Sequence, residues 1–353
     1  MPERLVFNPA QYTQNGKSFA LWRLPHQTEV KAIVAEHARE FIPQRLKENR
    51  TGFAFVPFDI QKDTSYFIEG EVSINPDISN KTTATDFYSF DGEITTETNI
   101  NYKNNVALAV EEIKNGKMKK VVLARNAIWD FPVDFCPLTF FDTLCQKYPE
   151  AMVSLVSIKG LGTWIGATPE LLLSVTDDLL MTVALAGTRV QNSPQWGEKE
   201  SEEQLWVLRY IENILTEYQT TRVNVSPRKH IYNGALEHLY TEVTFKKDGM
   251  TNTELASHLL HRLHPTPAVG GLEKQTAINF IHKHEEFKRS YYAGFLGEVT
   301  TNNAQLYVNL RCMQMLQNAV VGYAGAGITE GSDPEKEFQE TENKMNNLKL
   351  ILN

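Results

Sequence analysis

The sequence has few cysteines and no long apolar run, and each absence narrows the possible functions. Cys136, Cys145 and Cys312 are the three cysteines among 353 residues. They are too few and too scattered for a disulfide framework or a paired-cysteine metal site, so we expect a reducing compartment. No segment approaches the roughly 18 apolar residues that a membrane-spanning helix requires.

An excess of positive charge is also lacking. Lys and Arg total 35, Asp and Glu total 43, and the formal net charge is −8. A nucleic-acid binder needs a basic surface, so we expect no nucleic-acid partner. A small anionic substrate is not excluded, because a pocket can be locally basic. Residues 1–22 lack the apolar core of a secretory signal, and we expect a cytoplasmic protein with no membrane partner.

What the sequence does contain is a pattern of strands and long helices that is typical of an α+β protein. Helices are predicted at 104–116, 198–219, 251–263, 274–288 and 335–353, and strands at 19–25, 51–60, 121–131, 162–175, 179–190, 291–300, 304–316 and 319–329. Residues 74–103 are polar and are predicted to form surface loops. Because strands follow one another through short turns, the pattern favours antiparallel sheets over a doubly wound parallel sheet.

Acidic residues recur on the predicted helices. Glu337, Glu340 and Lys344 lie on one face of the terminal helix, since they are spaced by three and four residues. Glu203 lies on an earlier acidic helix. Mg²⁺ takes oxygen ligands, often one or two carboxylates with substrate oxygens and water, and two helices could supply them. The alternative is an acidic face in contact with solvent.

A glycine-rich strand and three basic residues each have two interpretations. Gly325 and Gly327 either present backbone amides to an anion or let the strand pack closely against a neighbour. Lys120, Arg125 and Arg311 end or begin apolar strands, where they are either surface residues or pocket residues that meet an anion.

Familiar catalytic and metal motifs are missing. The histidines at 258, 261, 264, 282 and 284 do not form the HExxH pattern of a zinc site. Neither a serine nucleophile elbow nor a P-loop occurs. The residues alone therefore indicate an α+β enzyme candidate with a carboxylate cluster and a glycine-rich strand.

Nine ordered strings resemble the chorismate-utilising enzyme family. They are KVVLAR (120–125), GATPELLL (166–173), LAGTR (185–189), EKESEEQ (198–204), LHPTPAVGG (263–271), EEFKRSYYAGFLG (285–297), NLRCMQM (309–315), YAGAGI (323–328) and EFQETENK (337–344). The resemblance implies one chorismate-binding domain over 1–353, with two antiparallel-rich sheets packed together and helices outside. Residues 101–353 carry the motifs, and residues 1–100 form a variable N-terminal part.

Within that family the closest resemblance is to isochorismate synthases. Lys120 is similar to the lysine that activates water, where ammonia-using members usually carry Gln. Ala186 stands where aminodeoxychorismate synthases have a nucleophilic lysine. Ala268 stands where salicylate synthases usually have Thr. The resemblance therefore implies water as the nucleophile and no glutaminase partner, with a salicylate-forming lyase as the alternative.

The resemblance also implies a role for each site residue. Lys120 is the expected base and Glu170 the expected acid. The expected Mg²⁺ ligands are Glu203 and Glu340, with Glu337 through water. The substrate is expected to contact His238, Ala268, Tyr292, Arg311, Gly325, Gly327 and Lys344. One departure is Gln204, because the family usually has His after the metal-binding glutamate.

Overall fold

The computed structural model describes residues 5–48, 50–80, 82–190, 196, 198–233 and 236–352. The helices in these ranges are α1 (Pro9–Gln14), α2 (Asn99–Lys114), α3 (Pro137–Lys147), α4 (Glu198–Glu217), α5 (Asn252–Leu263), α6 (Lys274–His284) and α7 (Pro334–Leu352). The strands are β1 (Ser18–Arg23), β2 (Val30–Ala35), β3 (Arg39–Glu40), β4 (Gly52–Val56), β5 (Tyr66–Glu69), β6 (Ser73–Ile74), β7 (Lys120–Asp130), β8 (Met152–Ile158), β9 (Gly162–Thr168), β10 (Leu171–Val175), β11 (Leu180–Val190), β12 (Thr221–Val225), β13 (Lys229–Asn233), β14 (Leu236–Lys246), β15 (Gly271–Leu272), β16 (Phe295–Val299), β17 (Ala304–Val308), β18 (Cys312–Met315) and β19 (Ala319–Ile328).

These strands form two sheets, and the neighbours within each sheet pair antiparallel. Sheet 1 has the order β15-β7-β19-β18-β9-β8-β1-β2-β6. Sheet 2 has the order β12-β14-β11-β10-β17-β16-β4-β5-β3, with β13 paired to β14. The expected α+β class with antiparallel sheets is confirmed.

Aromatic side chains fill the space between the two sheets. Trp22 of sheet 1 contacts Phe53 of sheet 2, with ring centroids 4.9 Å apart. Trp164 of sheet 1 meets Phe55 of sheet 2 edge-on at 6.2 Å. All four side chains are buried. Because each burial removes a large apolar area from water, this layer holds the sheets face to face.

Helices cover the rest of the sheets. α2, α3, α6 and α7 contact strands of sheet 1, and α4 and α5 contact β10, β11 and β14 of sheet 2. α5 begins with a capping box, in which Thr251 and Glu254 each accept a hydrogen bond from the other's backbone amide. In the described ranges, every helix is too short or too polar to span a bilayer.

Two neighbouring chain segments cross from one sheet to the other side by side. β9 in sheet 1 continues into β10 in sheet 2 through Pro169 and Glu170, and β17 in sheet 2 continues into β18 in sheet 1 through residues 309–311. β9 pairs with β18 and β10 pairs with β17, so the two crossings stay adjacent. They leave Glu170 and Arg311 at the junction of the sheets.

The crossings correct two of the sequence predictions. Residues 162–175, predicted as one strand, form β9 and β10 in different sheets. Residues 304–316 form two strands in different sheets, where the apolar pattern predicted one strand. Arg311 has φ 48° at the break, a left-handed backbone that is uncommon for a residue with a side chain and that turns the chain between the sheets. A hydrophobic pattern cannot show such a turn, because both strands are buried and apolar.

Other boundaries differ where capping or tertiary pairing decides them. The helix predicted at 104–116 begins at Asn99, because Thr98 Oγ1 accepts a hydrogen bond from the Asn101 amide at 3.1 Å. Residues 74–103 are therefore not all loop. The helix predicted to reach residue 288 ends at His284. Sequence patterns missed α3, β2, β8 and β14.

The first 100 residues are built into both sheets. β1, β2 and β6 extend sheet 1 beyond β8, whereas β4, β5 and β3 extend sheet 2 beyond β16. The N-terminal part therefore shares the aromatic layer with the segments that carry the sequence motifs.

Candidate active site

A cavity lies where the two sheets meet, and it collects most of the residues singled out in the sequence. The empty space in it is about 990 Å³, including the open mouth. The lining residues are Lys120, Val122, Pro169, Glu170, Leu185, Ala186, Gly187, Glu203, His238, Ala268, Val269, Tyr292, Leu310, Arg311, Tyr323, Ala324, Gly325, Gly327, Glu340 and Lys344.

Hydrogen bonds between the two crossings hold one wall of this cavity. Thr168 Oγ1 donates to the Val308 carbonyl at 2.6 Å, and the Val308 amide donates to the Glu170 carbonyl at 2.9 Å. The carbonyl of the next residue, Asn309, accepts a hydrogen bond from the Ala293 amide at 2.8 Å. This bond fixes the turn that carries Tyr292. Glu170, Arg311 and Tyr292 are thus positioned by one connected backbone network.

Glu170 is buried, and its carboxyl group is suited to act as an acid. Burial raises the pKa of Glu170 to about 7, although nearby Lys120, Thr266, Lys344 and Arg311 act in the opposite direction. A carboxyl with this pKa is partly protonated at neutral pH and can donate a proton.

Lys120 begins β7, and its side chain is 3% exposed. Its Nζ lies 3.5 Å from Oε2 of Glu203. The short strand β15 pairs with β7 at this point, with Leu272 opposite Lys120. An amine in a dry, paired position can hold or accept a proton next to a bound ligand.

Gly325 and Gly327 face the same cavity from β19, which is ordinary extended strand there. A Cβ at Gly327 would lie 2.9 Å from Cε of Lys120, and a Cβ at Gly325 would lie 3.0 Å from the Tyr292 hydroxyl. Both glycines pair with β7, where Gly325 lies opposite Ala124 and Gly327 lies opposite Val122. Of the two interpretations drawn from the sequence, these contacts favour close packing, in which the missing side chains make room for Lys120 and Tyr292.

His238 connects the Arg311 side chain to the backbone of β11. Its Nε2 lies 2.7 Å from an Nη2 of Arg311, and its Nδ1 lies 3.1 Å from the Gly187 carbonyl. Burial, followed by the charges of Arg311 and Lys344, holds the pKa of His238 well below its ordinary value. A neutral imidazole with its proton on Nδ1 donates to Gly187 and accepts from Arg311.

Arg311 stays charged although it is surrounded by protein. Burial lowers the pKa of Arg311 to about 10, with Tyr148 and Glu170 opposing that change. Its guanidinium therefore brings a positive charge into the cavity at neutral pH. A planar fork of this kind matches the geometry of a carboxylate.

Glu203 and its neighbour Glu202, near the start of α4, differ in burial. Glu203 is buried and lines the cavity, whereas Glu202 is exposed. Gln204 turns to the neighbouring sheet, where its Nε2 donates to Thr241 Oγ1 at 2.9 Å. The Gln that replaces the family's usual His is therefore a packing residue against β14.

On α7, Glu340 and Lys344 line the cavity and pair with each other at 2.7 Å. Lys344 also donates to the Gly325 carbonyl at 2.8 Å, which ties the helix to β19. Glu337 is buried, but it is not among the residues described as lining the cavity. It lies near Tyr102, where its charge adds to burial in raising the pKa of that hydroxyl.

The carboxylates of Glu203 and Glu340 fit the way proteins bind Mg²⁺. Among the described residues there is no group of three or more His, Cys, Asp or Glu side chains placed to hold a metal ion. Mg²⁺ commonly uses one or two carboxylates and takes its other oxygens from water and substrate. Two carboxylates from different helices on one cavity match that donor set.

Arg125 and the five histidines tested for a zinc pattern are not among the residues that line the cavity. Arg125 is buried, donates through Nε to Thr341 Oγ1 at 2.7 Å and pairs with Glu342, which anchors α7 on β7. His264 Nε2 donates to the Pro57 and Phe58 carbonyls, and burial lowers the pKa of His264 to about 4. His282 pairs with Asp59 at 3.0 Å.

Sequence reasoning missed the apolar part of the wall. Val122 and Tyr323 both line the cavity. Each lies two residues from a predicted site residue, Lys120 in one case and Gly325 in the other. Because alternate residues of a strand share a face, this period of two was the signal that could have identified them.

Comparison with known proteins finds similar sequences among isochorismate and anthranilate synthases. Isochorismate synthase MenF of Escherichia coli strain K12 is 32% identical over 260 residues, which cover 70% of this chain and 59% of that protein. The chain therefore spans about three fifths of the length of this relative. Anthranilate synthase component 1 of Saccharolobus solfataricus is 29% identical over 302 residues, covering 80% of this chain and 70% of that protein.

The fold of nearly the whole chain also matches that of solved structures. The solved structure of MenF, the menaquinone-specific isochorismate synthase from Escherichia coli, superposes with a TM-score of 0.79 at 22% identity and covers 99% of this chain and 90% of that one. The family model described as chorismate binding enzyme matches residues 72–353. This chain therefore belongs to the chorismate-binding enzyme family.

Proposed function

We propose that this protein is an isochorismate synthase, which converts chorismate reversibly into isochorismate. The observation that carries the proposal is that a buried lysine, Lys120, and a buried glutamic acid with a raised pKa, Glu170, line the same cavity. Relatives named isochorismate synthase support the same reaction.

The proposed reaction needs both a base and an acid. A water molecule adds its oxygen to C2 of the ring, the ring double bonds shift, and the C4 hydroxyl leaves as water. Lys120 is proposed to accept the proton that the attacking water loses, and protonated Glu170 gives a proton to the departing hydroxyl. One water enters and one leaves, so atoms and charge balance.

Chorismate carries two carboxylates, and the cavity offers cations to meet them. Arg311 is held by His238 with its guanidinium at the junction of the sheets. Lys344 is a second cation, and the Tyr292 hydroxyl is a neutral donor beside Gly325. We assign Arg311 and Tyr292 to the enolpyruvyl carboxylate, because the fork of Arg311 suits a bidentate contact.

Glu203 and Glu340 would hold the Mg²⁺ that we propose as cofactor. Bound there, the ion would supply positive charge for the ring carboxylate. Glu337 stays a proposed ligand through water, one turn before Glu340 on α7. Lys344 pairs with Glu340 and fixes that side chain on the cavity side of the helix.

The nucleophile is proposed to be water. Ala186 lines the cavity on β11 and offers no nucleophilic side chain. Ala268 lines it from the loop after α5, and its small side chain leaves space beside the substrate. A salicylate-forming reaction would require pyruvate to leave from isochorismate, and an aminase would require ammonia in place of water.

The products formed from chorismate test the proposed reaction directly. The full chain is incubated with chorismate and Mg²⁺, with and without ammonium, and the products are identified by chromatography and mass spectrometry. We expect a mixture of chorismate and isochorismate with little pyruvate in a lactate dehydrogenase-coupled assay. Pyruvate formed in proportion to the chorismate consumed would establish the lyase instead, and an ammonium-dependent aromatic amine would establish the aminase.

Lys120→Ala is expected to reduce turnover by about 10²–10⁴-fold, which is the usual contribution of a general base. The adjacent Lys119 is exposed and provides a matched control, so Lys119→Ala should retain the kcat of the parent. Thermal unfolding followed by circular dichroism checks that both variants fold. Turnover of Lys120→Ala within a few-fold of the control would exclude Lys120 as the base.

Glu170→Gln is expected to remove activity and to change how stability depends on pH. Folded Glu170 has a pKa of about 7 against an ordinary 4.5, so its proton favours the folded state at low pH, and this contribution is lost as pH rises through 7. Gln cannot ionise. The melting temperature of the parent should therefore fall relative to the variant between about pH 5 and pH 8.

The parent's turnover should also decline as pH rises above about 7, because the protonated acid is depleted. A difference in melting temperature that stays constant over the same pH range would contradict the raised pKa. The measurement requires thermal unfolding of parent and variant in matched buffers at constant ionic strength.

Glu203→Gln and Glu340→Gln are each expected to raise the Mg²⁺ concentration that gives half-maximal activity. The shift should be at least about tenfold, since even a group that only supports a metal ligand changes affinity by that much. Glu202→Gln is the matched control, because Glu202 neighbours Glu203 but is exposed. Unchanged Mg²⁺ titrations in both variants would place the metal site elsewhere.

A further inference from the structure

An ion pair lies behind the cavity wall and takes no part in the chemistry described so far. Glu285 is the C-cap residue of α6, and Arg289 lies four residues further along, beyond the helix. Their side chains are 4% and 3% exposed. Arg289 Nε donates to Glu285 Oε2 at 2.7 Å, Nη2 donates to Oε1 at 2.5 Å, and the guanidinium lies 4.4 Å from the centroid of the Phe58 ring.

The remaining hydrogen bonds of this pair all go to the backbone beside the cavity. Arg289 Nη1 donates to the Val269 carbonyl at 2.9 Å, and Nη2 donates to the Val122 carbonyl at 2.6 Å. Glu285 Oε1 accepts from the Ala124 amide at 2.8 Å. One ion pair thus joins the loop after α5 to strand β7.

Both ends of that connection are next to residues of the proposed reaction. Val122 is two residues from Lys120 on the same face of β7, and Val269 follows Ala268. The Val122 amide also donates to the Gly270 carbonyl at 3.0 Å, which joins the same two segments a second time. A shift of Arg289 would therefore change the distance between Lys120 and the wall at Ala268.

Stability alone does not account for a pair of this kind. A buried ion pair pays for the loss of hydration of both charges, and apolar side chains of similar size often stabilise a fold equally well. What apolar side chains cannot do is bind two carbonyls and an amide in fixed directions. Every protein hydrogen bond described here from the Arg289 guanidinium ends on Glu285 or on the backbone of a cavity-lining residue.

We propose that Arg289 and Glu285 are positioning residues, which set the separation between the segment bearing Lys120 and the wall at Ala268. The inference rests on the proposed isochorismate synthase reaction, and it assigns the pair to turnover and not to substrate affinity. Of the residues assigned to the substrate carboxylates, Arg311 and Lys344 lie on other elements and make no described contact with the pair. Tyr292 is nearer, but its amide donates to the backbone carbonyl of Arg289 at 2.9 Å, and a side-chain substitution at 289 keeps that carbonyl.

Arg289→Lys is the test, because Lys keeps the charge but loses the fork. A single ammonium cannot donate hydrogen bonds to Glu285 and to the Val122 and Val269 carbonyls in the directions that the guanidinium uses. We expect kcat to fall about 10–100-fold, since misplacement by about 1 Å can cost that much. The KM for chorismate should stay within about threefold of the parent, because the carboxylate contacts are unchanged.

The matched control is Arg39→Lys, at the far edge strand of sheet 2. Arg39 Nε donates to Glu69 Oε2 at 2.6 Å, and its guanidinium lies 4.5 Å from the Phe67 ring centroid. The same three groups meet there at an exposed position, and Arg39 is not among the residues that line the cavity. We expect kcat and KM of this variant to match the parent. Rates are divided by the concentration of binding sites, measured by titration with chorismate in a calorimeter.

Glu285→Gln is the second variant, and it should lower kcat in the same way, because an amide offers one acceptor oxygen where the carboxylate offers two. If the parent forms isochorismate but both variants keep its kcat per site, or if their KM rises while kcat is unchanged, the inference is wrong. Loss of folding in both variants would also overturn it, since the pair would then serve the fold. Failure of the parent to form isochorismate would instead overturn the proposed function.

Discussion

The paired crossing of two neighbouring strands is the constraint on which the rest of this structure depends. β9 and β18 are partners in sheet 1, β10 and β17 are partners in sheet 2, and both connections pass between the sheets at the same place. The backbone groups of a strand are normally satisfied by hydrogen bonds to its neighbours within one sheet. Here a pair of neighbouring strands passes from one sheet to the other. The residues in the two connections, Glu170 and Arg311, therefore line the cavity.

The charges at this junction control one another. Burial raises the pKa of Glu170 to about 7 and lowers that of Arg311 to about 10, so the carboxyl can carry a proton while the guanidinium remains charged. His238 accepts a hydrogen bond from Arg311, and burial, with the charge of Arg311 added to it, lowers the pKa of His238 and keeps the imidazole neutral. The neutral imidazole in turn orients the guanidinium of Arg311. Lys120, the proposed base, has its Nζ 3.5 Å from Oε2 of Glu203.

How far the sequence could predict this arrangement depends on the kind of signal each residue leaves. The helices α4, α5 and α7 were predicted because their patterns are local and their caps lie nearby in sequence. Glu170 and Arg311 could be assigned only through family resemblance, since their positions depend on which sheet each flanking strand joins. The Glu285–Arg289 pair left no pattern of its own, because its partners at Val122 and Val269 lie 167 and 20 residues away from Arg289.

The distribution of the cavity along the chain has a consequence for how the protein is made. Lys120 comes from the first half of the sequence, whereas Glu340 and Lys344 lie on the last helix. Contacts between such distant segments close large loops and form late in folding. The complete pocket, with Glu340 and Lys344 in its wall, therefore requires the last helix to be synthesised and docked, and a ligand that depends on those two residues stabilises only such molecules.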